Sequence, residues 1–310
     1  MEFVMNMISY TIMLIMVLLG VAFVTLMEQK VLASSQLRLG PNQVGYWGLL
    51  QSFSDAVKLL SKENVKSQVM KGSVFYVSPI MGLSLALILW LVYPYSEGGL
   101  NMNYGIFFFL VVSGLGVYPI LMSGWSSNCK YSMLGSLRAI AQMVSYEVSL
   151  GMILVSLVWS TMSFNFTGLM KMQSFALSIF FCLPLAMMWF VSSLAETNRT
   201  PYDFSEGESE LVSGFNTEYG SSGFTSIFMA EYASILLMSM LFSCMFMSSS
   251  LNLLSIYKGI FISFVFVWVR ATLPRYRYDK LMSLAWKSFL PISLVMFIYF
   301  LCVSMGNGLI

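Results

Sequence analysis

The chain has 310 residues, with 16 Lys and Arg against 14 Asp and Glu, a formal net charge of +2 and no histidine. It is 58% hydrophobic and 10% charged, with a mean hydropathy of +0.78, where soluble domains carry about 25% charged residues. That balance excludes a soluble enzyme, and with no basic block there is no basis for a nucleic-acid partner.

Residues 1–310 are expected to form a single all-α, polytopic membrane domain of about eight transmembrane helices. A helix needs about 20 residues to cross about 30 Å of hydrocarbon. Phe3–Met27 is the first uncharged run of that length. It lacks a basic n-region and exceeds a signal-peptide core, so it reads as a retained span. Between Trp47 and Glu63, Leu49, Phe53, Ala56, Val57 and Leu60 fall on one helical face, with Asp55, Lys58 and Lys62 opposite. This pattern predicts an amphipathic helix lying in the interface. Spans two and three are expected in Ser73–Ser96 and Gly98–Cys129. The fourth falls in Ala139–Met170, which contains Glu147, and the fifth in Met172–Ala195. The sixth falls in Tyr219–Tyr257, interrupted by Glu231, the seventh runs from about Leu253 to Arg270, and Ser288–Ile310 is the eighth.

Fourteen of the sixteen basic residues then fall in loops on one side, about 28–72, 125–138, 195–223 and 270–287; only Lys171 and Lys258 fall on the other. The positive-inside rule makes that side the inner one and places both termini outside.

Glu196 to Glu218 holds six of the fourteen carboxylates, offset only by Arg199. A solvated loop is the plain explanation for such a run. Glu147 and Glu231 lie within spans, where a central carboxylate costs roughly 2.5–3.5 kcal/mol on insertion scales. Proton handling explains them, and so does a protonated carboxyl that joins helices by hydrogen bonds. Arg270, Arg275, Arg277, Lys280 and Lys287 cluster around Asp279; such charges set topology, and Arg can also pair with carboxylates of the acidic loop. The four cysteines are widely spaced with no CxxC pair, so no metal site or iron–sulfur ligation is expected. No phosphate-cradling glycine loop follows a strand-like segment.

Seven motifs occur in order along nearly the whole chain: MEQKVLASSQLRLGPNQVG, FSDAVKLLSKE, GWSSN, LRAIAQMVSYEVSL, SLAETNRTPYDFSEGESELVSGFNTEY, FMAEYAS and RATLPRYRYDKLMSLAWK. Together they resemble the chain-1 family of NADH:ubiquinone oxidoreductase, the respiratory complex I. With 26 Met and no His, the chain is similar to mitochondrially encoded members. The resemblance implies a core membrane subunit of the mitochondrial inner membrane, its termini facing the intermembrane space. It would form the membrane end of the ubiquinone chamber and couple quinone reduction to proton translocation. Partners would be other membrane-arm subunits, the hydrophilic subunits of the quinone module and membrane lipid. NADH, FMN and iron–sulfur clusters would belong to partner subunits alone, with ubiquinone as substrate.

Carried over by motif, the quinone-chamber residues are Glu28, Asp55, Lys58, Arg138, Arg199, Arg270 and Arg275. The proton-coupling acids are Glu147, Glu196, Asp203, Glu206, Glu208, Glu210 and Glu231. The chain departs from the family at Gln29, where an Arg is usual, at Ser34-Ser35 and at Gln51-Ser52. Two other readings of the residues remain. A stand-alone transporter would use Glu147 and Glu231, although no internal repeat of the transporter kind is seen. A structural anchor would carry its charges for topology only.

Overall fold

Long uncharged runs leave the backbone no partner but itself, and the computed structural model is accordingly helical, with no strand among the described residues. It describes residues 2–64, 70–95, 102–174, 176–205, 207 and 211–306. Helix α1 (Glu2–Ser35) is followed by a 3-10 turn at Tyr46–Gly48 and the amphipathic α2 (Gln51–Ser61). Then come α3 (Gly72–Leu89), α4 (Gly105–Leu115), α5 (Val117–Ser126) and the long α6 (Lys130–Thr161). After α7 (Phe166–Met172), the single turn α8 (Ser178–Phe181) leads into α9 (Leu183–Glu196). Helix α10 (Ser221–Phe242) runs on as a π turn over Ser243–Met247, and α11 (Leu253–Thr272) follows. The last pieces are α12 (Tyr278–Leu284), a π turn over Ala285–Phe289 and α13 (Leu290–Gly306).

Seven helical stretches among the described residues are long and apolar enough to cross a membrane. They correspond to expected spans one to four and six to eight. The expected fifth span differs. It is a four-residue turn and a 14-residue helix meeting at Cys182. Pro184 sits in the first turn of α9, the position where its missing N–H is tolerated, so the helix starts there. The eighth stretch begins earlier than expected, at Tyr278, because the charged segment up to Lys287 is already helical.

Helix α6 is the centre of the structure, packed against α5, α9 and α13, while α10 packs against α3, α11 and α1. Tyr146, Leu150, Ile153 and Leu154 of α6 share one fully buried cluster with Trp189, Leu241 and Phe246. The outward faces of α1 and α13 stay apolar and exposed, as at Ile15, Met16, Val295 and Ile298. In α2 no residue is buried, and Phe53, Val57 and Leu60 are exposed. Phe53 meets Phe23 of α1 edge-on at 6.0 Å, which fixes α2 beside the first helix.

Candidate functional site

The carboxylate of Glu28, 5% exposed within α1, gathers three other elements around it. Its Oε1 accepts from Nη1 of Arg199 at 3.5 Å and from Nη1 of Arg270, in the last turn of α11. Its Oε2 accepts a 2.5 Å hydrogen bond from the hydroxyl of Tyr232 on α10. The guanidinium of Arg199 in turn lies 4.4 Å above the Tyr232 ring. Two cations and a phenol thus satisfy one buried anion, which is the condition for keeping it charged away from water. Burial alone would weaken the Arg199 cation, but Tyr232, Glu28 and Glu231 more than offset this and hold its guanidinium above its ordinary value.

Arg199 is placed by a tight turn after α9. The backbone N–H of Arg199 donates to the carbonyl of Leu194, and the N–H of Tyr202 donates to the Arg199 carbonyl at 2.8 Å. Gln142 of α6 fixes the turn from the other side, its Nε2 donating to the carbonyls of Ala195 and Tyr202, both at 2.8 Å. The Ala195 carbonyl, at the end of α9, also accepts from the backbone N–H of Asn198 at 3.3 Å, so Gln142 adds a side-chain donor to a carbonyl in the last turn. A few residues on, buried Asp203 accepts from Arg275 at 3.3 Å, and the Tyr276 N–H donates to the Pro201 carbonyl at 3.1 Å. The acidic and basic loops are therefore joined.

Behind the ionic cluster lies a cavity of about 140 Å³ between α3, α4, α5, α6, α9 and α10. Glu196 and Glu231 line it, with Asn198, Met143, Ser78 and Ser234. Glu147 is not among the lining residues. Glu147 presses against Gly114 of α4 so closely that a Cβ there would lie 2.5 Å from its Oε1. The charges of Glu147 and Glu196 act on one another. Two pairs of chain neighbours tie cluster and cavity together. Arg199 and Tyr232 face Glu28, while Asn198 and Glu231 line the cavity.

The structure thus brings together Glu28, Arg199 and Arg270, and separately Arg275 with Asp203 and the carboxyls of Glu147, Glu196 and Glu231. Arg138 is half-buried on α6, one turn before Gln142. Asp55 accepts from Gln51 of its own helix at 2.9 Å, and Lys58 is exposed; among the described residues neither pairs with the other nor joins the ions around Glu28. Glu206, Glu208 and Glu210 lie outside the described residues. Tyr232 and Gln142 were not singled out from sequence. Both stood inside quoted motifs, one residue after Glu231 and five before Glu147, and their polarity within apolar helices was the available signal.

A family profile described as NADH dehydrogenase matches residues 8–301. The chain belongs to the NADH dehydrogenase family. Among curated relatives, a protein of Aedes aegypti is 52% identical over 98% of this chain and 97% of its own length. One of Anopheles quadrimaculatus is 54% identical over 96% of this chain and 95% of its own. One of Osphranter rufus is 46% identical over 98% and 97%. Each of the three is named NADH-ubiquinone oxidoreductase chain 1. The membership agrees with the resemblance read from the ordered motifs, and it makes the family's charges the relevant frame for the Glu28 cluster and the acid cavity.

Proposed function

We propose that the chain is a core membrane subunit of proton-pumping NADH:ubiquinone oxidoreductase in the mitochondrial inner membrane, with both termini on the intermembrane-space side. It assembles with other membrane-arm subunits and with the hydrophilic quinone-module subunits, which hold the NADH, FMN and iron–sulfur chemistry. Exposed apolar helix faces meet lipid. Glu28, Arg199 and Arg270, together with Asp55, Lys58, Arg138 and Arg275, form the membrane end of the ubiquinone chamber. Glu147, Glu196, Asp203 and Glu231, continued by Glu206, Glu208 and Glu210, carry the proton coupling.

The observation that carries this reading is the placement of Arg199 and Tyr232 between a buried carboxylate and an acid-lined cavity. Reduction of the quinone by two electrons draws two protons from its surroundings and leaves a neutral quinol, so the groups that supply those protons become more negative. Two unit charges 4 Å apart at an effective dielectric of about 20 interact by about 4 kcal/mol. A change of that size beside Arg199 alters its hold on Glu28, and its interaction with Glu231 passes the change to the cavity. Glu231, Glu196 and Glu147 then respond by taking up or releasing protons. The role of this chain is positional and electrostatic, and the redox step occurs on the substrate and the partner subunits.

The test is mass analysis of the assembly that co-purifies after mild detergent extraction, together with NADH:quinone activity and its response to quinone-site inhibitors. The reading expects a large flavin- and iron–sulfur-containing assembly with inhibitor-sensitive activity. A hydrogenase-type partner set would keep the fold and change the reaction. A solitary chain that moves protons in vesicles would replace the reading with the transporter.

A further inference from the structure

A second cavity, of about 210 Å³, lies beside the first between the start of α3 and the start of α10. Its lining includes Asn64, Tyr76, Ser222 and the stacked rings of Phe75 and Tyr219, whose centroids are 4.1 Å apart. Its mouth is polar, since Ser221 and Ser222 both donate to Oδ1 of Asn64. Pro79 lines both cavities, so a single residue's thickness of wall separates them.

One hydrogen bond crosses that wall. The hydroxyl of Tyr219, 7% exposed and part of the second cavity, lies 2.8 Å from Oγ of Ser78, 1% exposed and part of the acid cavity. The two residues are 141 positions apart in the chain, so this contact is not the local serine-to-carbonyl bond seen along most of these helices. Oγ of Ser126 stands 3.5 Å from the same phenol, and the Phe75 carbonyl lies 3.2 Å from it. A hydroxyl both donates and accepts, so adjacent hydroxyls can pass a proton along without ever bearing net charge for long. Burial holds the Tyr219 phenol above its ordinary value, with the Ser126 and Ser78 contacts opposing, so it stays the neutral O–H that such a relay requires.

We propose that Tyr219 and Ser78 form a proton inlet into the acid cavity, separate from the ionic cluster around Glu28. In one passage a proton from water in the second cavity binds the Tyr219 oxygen, and the phenolic proton moves to Ser78 Oγ. The Ser78 proton then leaves into the acid cavity toward Glu196 or Glu231. No bond other than O–H forms or breaks, and both hydroxyls end as they began after reorientation. The proposal rests on the reading of the acid cavity as a proton-coupling site. Both residues touch the travelling proton. The Tyr219 ring also closes the wall by stacking on Phe75, so removing the hydroxyl alone is the informative change.

The experiment uses the complete assembly, reconstituted in vesicles, with Ser78→Ala, Ser78→Thr, Tyr219→Phe and Glu196→Gln compared. Readouts are the quinone-linked NADH oxidation rate, the pH gradient formed, the KM for quinone and the rate with ferricyanide, which bypasses the quinone. The inlet predicts that Ser78→Ala and Tyr219→Phe each lower the quinone-linked rate and the gradient by about a hundredfold, the low end for a lost proton-transfer group. The KM for quinone and the ferricyanide rate stay at wild-type values, and Ser78→Thr, which keeps the hydroxyl, restores most of the rate. If Ser78→Thr is as impaired as Ser78→Ala, the position matters for packing and the inlet is overturned. Should Tyr219→Phe fail to assemble, the two Ser78 variants decide alone. Wild-type behaviour of the hydroxyl deletions beside an impaired Glu196→Gln sinks the inlet and leaves the cavity reading standing. Wild-type behaviour of Glu196→Gln as well sinks both.

Discussion

The hydroxyl of Tyr232 donates to Oε2 of Glu28 at 2.5 Å across a separation of 204 residues, while the same ring supports the Arg199 cation on its face. One side chain therefore touches both members of a buried ion pair. It is also the chain neighbour of Glu231, which faces the cavity behind. Tyr232 thus connects the Glu28–Arg199 pair to the helix turn that carries Glu231.

Tyr232→Phe removes the hydrogen bond and keeps the ring beneath Arg199. Hydrogen bonds to charged groups contribute about 1.5–3 kcal/mol, and this one is largely shielded from water. The expected outcome is a lower thermal midpoint of the purified assembly with a reduced quinone-linked rate. Tyr232→Leu loses the cation–ring contact too and should be worse than Tyr232→Phe. Equal melting of Tyr232→Phe and wild type would remove the hydroxyl from the account.

Glu28→Gln leaves Arg199 and Arg270 facing a neutral group. Breaking a buried pair costs about 3–5 kcal/mol, and the lower end applies because Arg270 is 35% exposed and can turn to solvent. Less assembled complex is expected on native gels, with residual complex poorly active with quinone. Normal assembly and normal quinone activity would contradict the role given to this cluster.

Gly114→Ala tests the position of Glu147 without touching any acid. The added Cβ would lie 2.5 Å from Oε1 of Glu147, so the carboxyl must shift. Gly151→Ala is the matched control, because its nearest neighbour is Leu110 at 4.0 Å. The first should lower quinone-linked proton pumping to about the level of Glu147→Gln, whereas the second should leave it intact. Pumping assays on the two variants in parallel check this.

Arg275→Ala removes the 3.3 Å contact to Asp203, but Arg275 is 36% exposed and the Tyr276–Pro201 backbone bond still joins the loops. A pair that exposed contributes about 1 kcal/mol or less. Stability should change little, and the effect should appear in the apparent affinity for quinone or its inhibitors, read by titration. Arg277→Ala, which breaks a pair with both partners mostly in solvent, should change neither.

The seven long spans were legible because strongly apolar runs of span length mark where lipid replaces water, and these seven map to helices. The amphipathic helix was legible from its spacing, although its ends moved inward to Gln51 and Ser61. The fifth span was misread in length because counting apolar residues across 172–195 gives no weight to Pro184, which sets the start of α9. Individual charges could be selected from sequence, but their pairings could not. Glu28 meets Arg199 and Arg270 only because α1, α10 and α11 converge, a long-range property that no local pattern encodes. Gln142 shows the same limit: its role is to hold carbonyls 53 and 60 residues away. The cavities, finally, are spaces between helices and leave no trace in one strand of text.

The most direct test of the account is Glu231→Gln in the complete assembly, reading NADH:quinone turnover with proton pumping against NADH:ferricyanide turnover. The substitution keeps the shape of the cavity wall and removes the charge that Arg199 senses. The account predicts normal assembly and ferricyanide turnover, with quinone-linked turnover and pumping lowered together by about a hundredfold or more. An assembled complex with wild-type quinone turnover and wild-type pumping would contradict it.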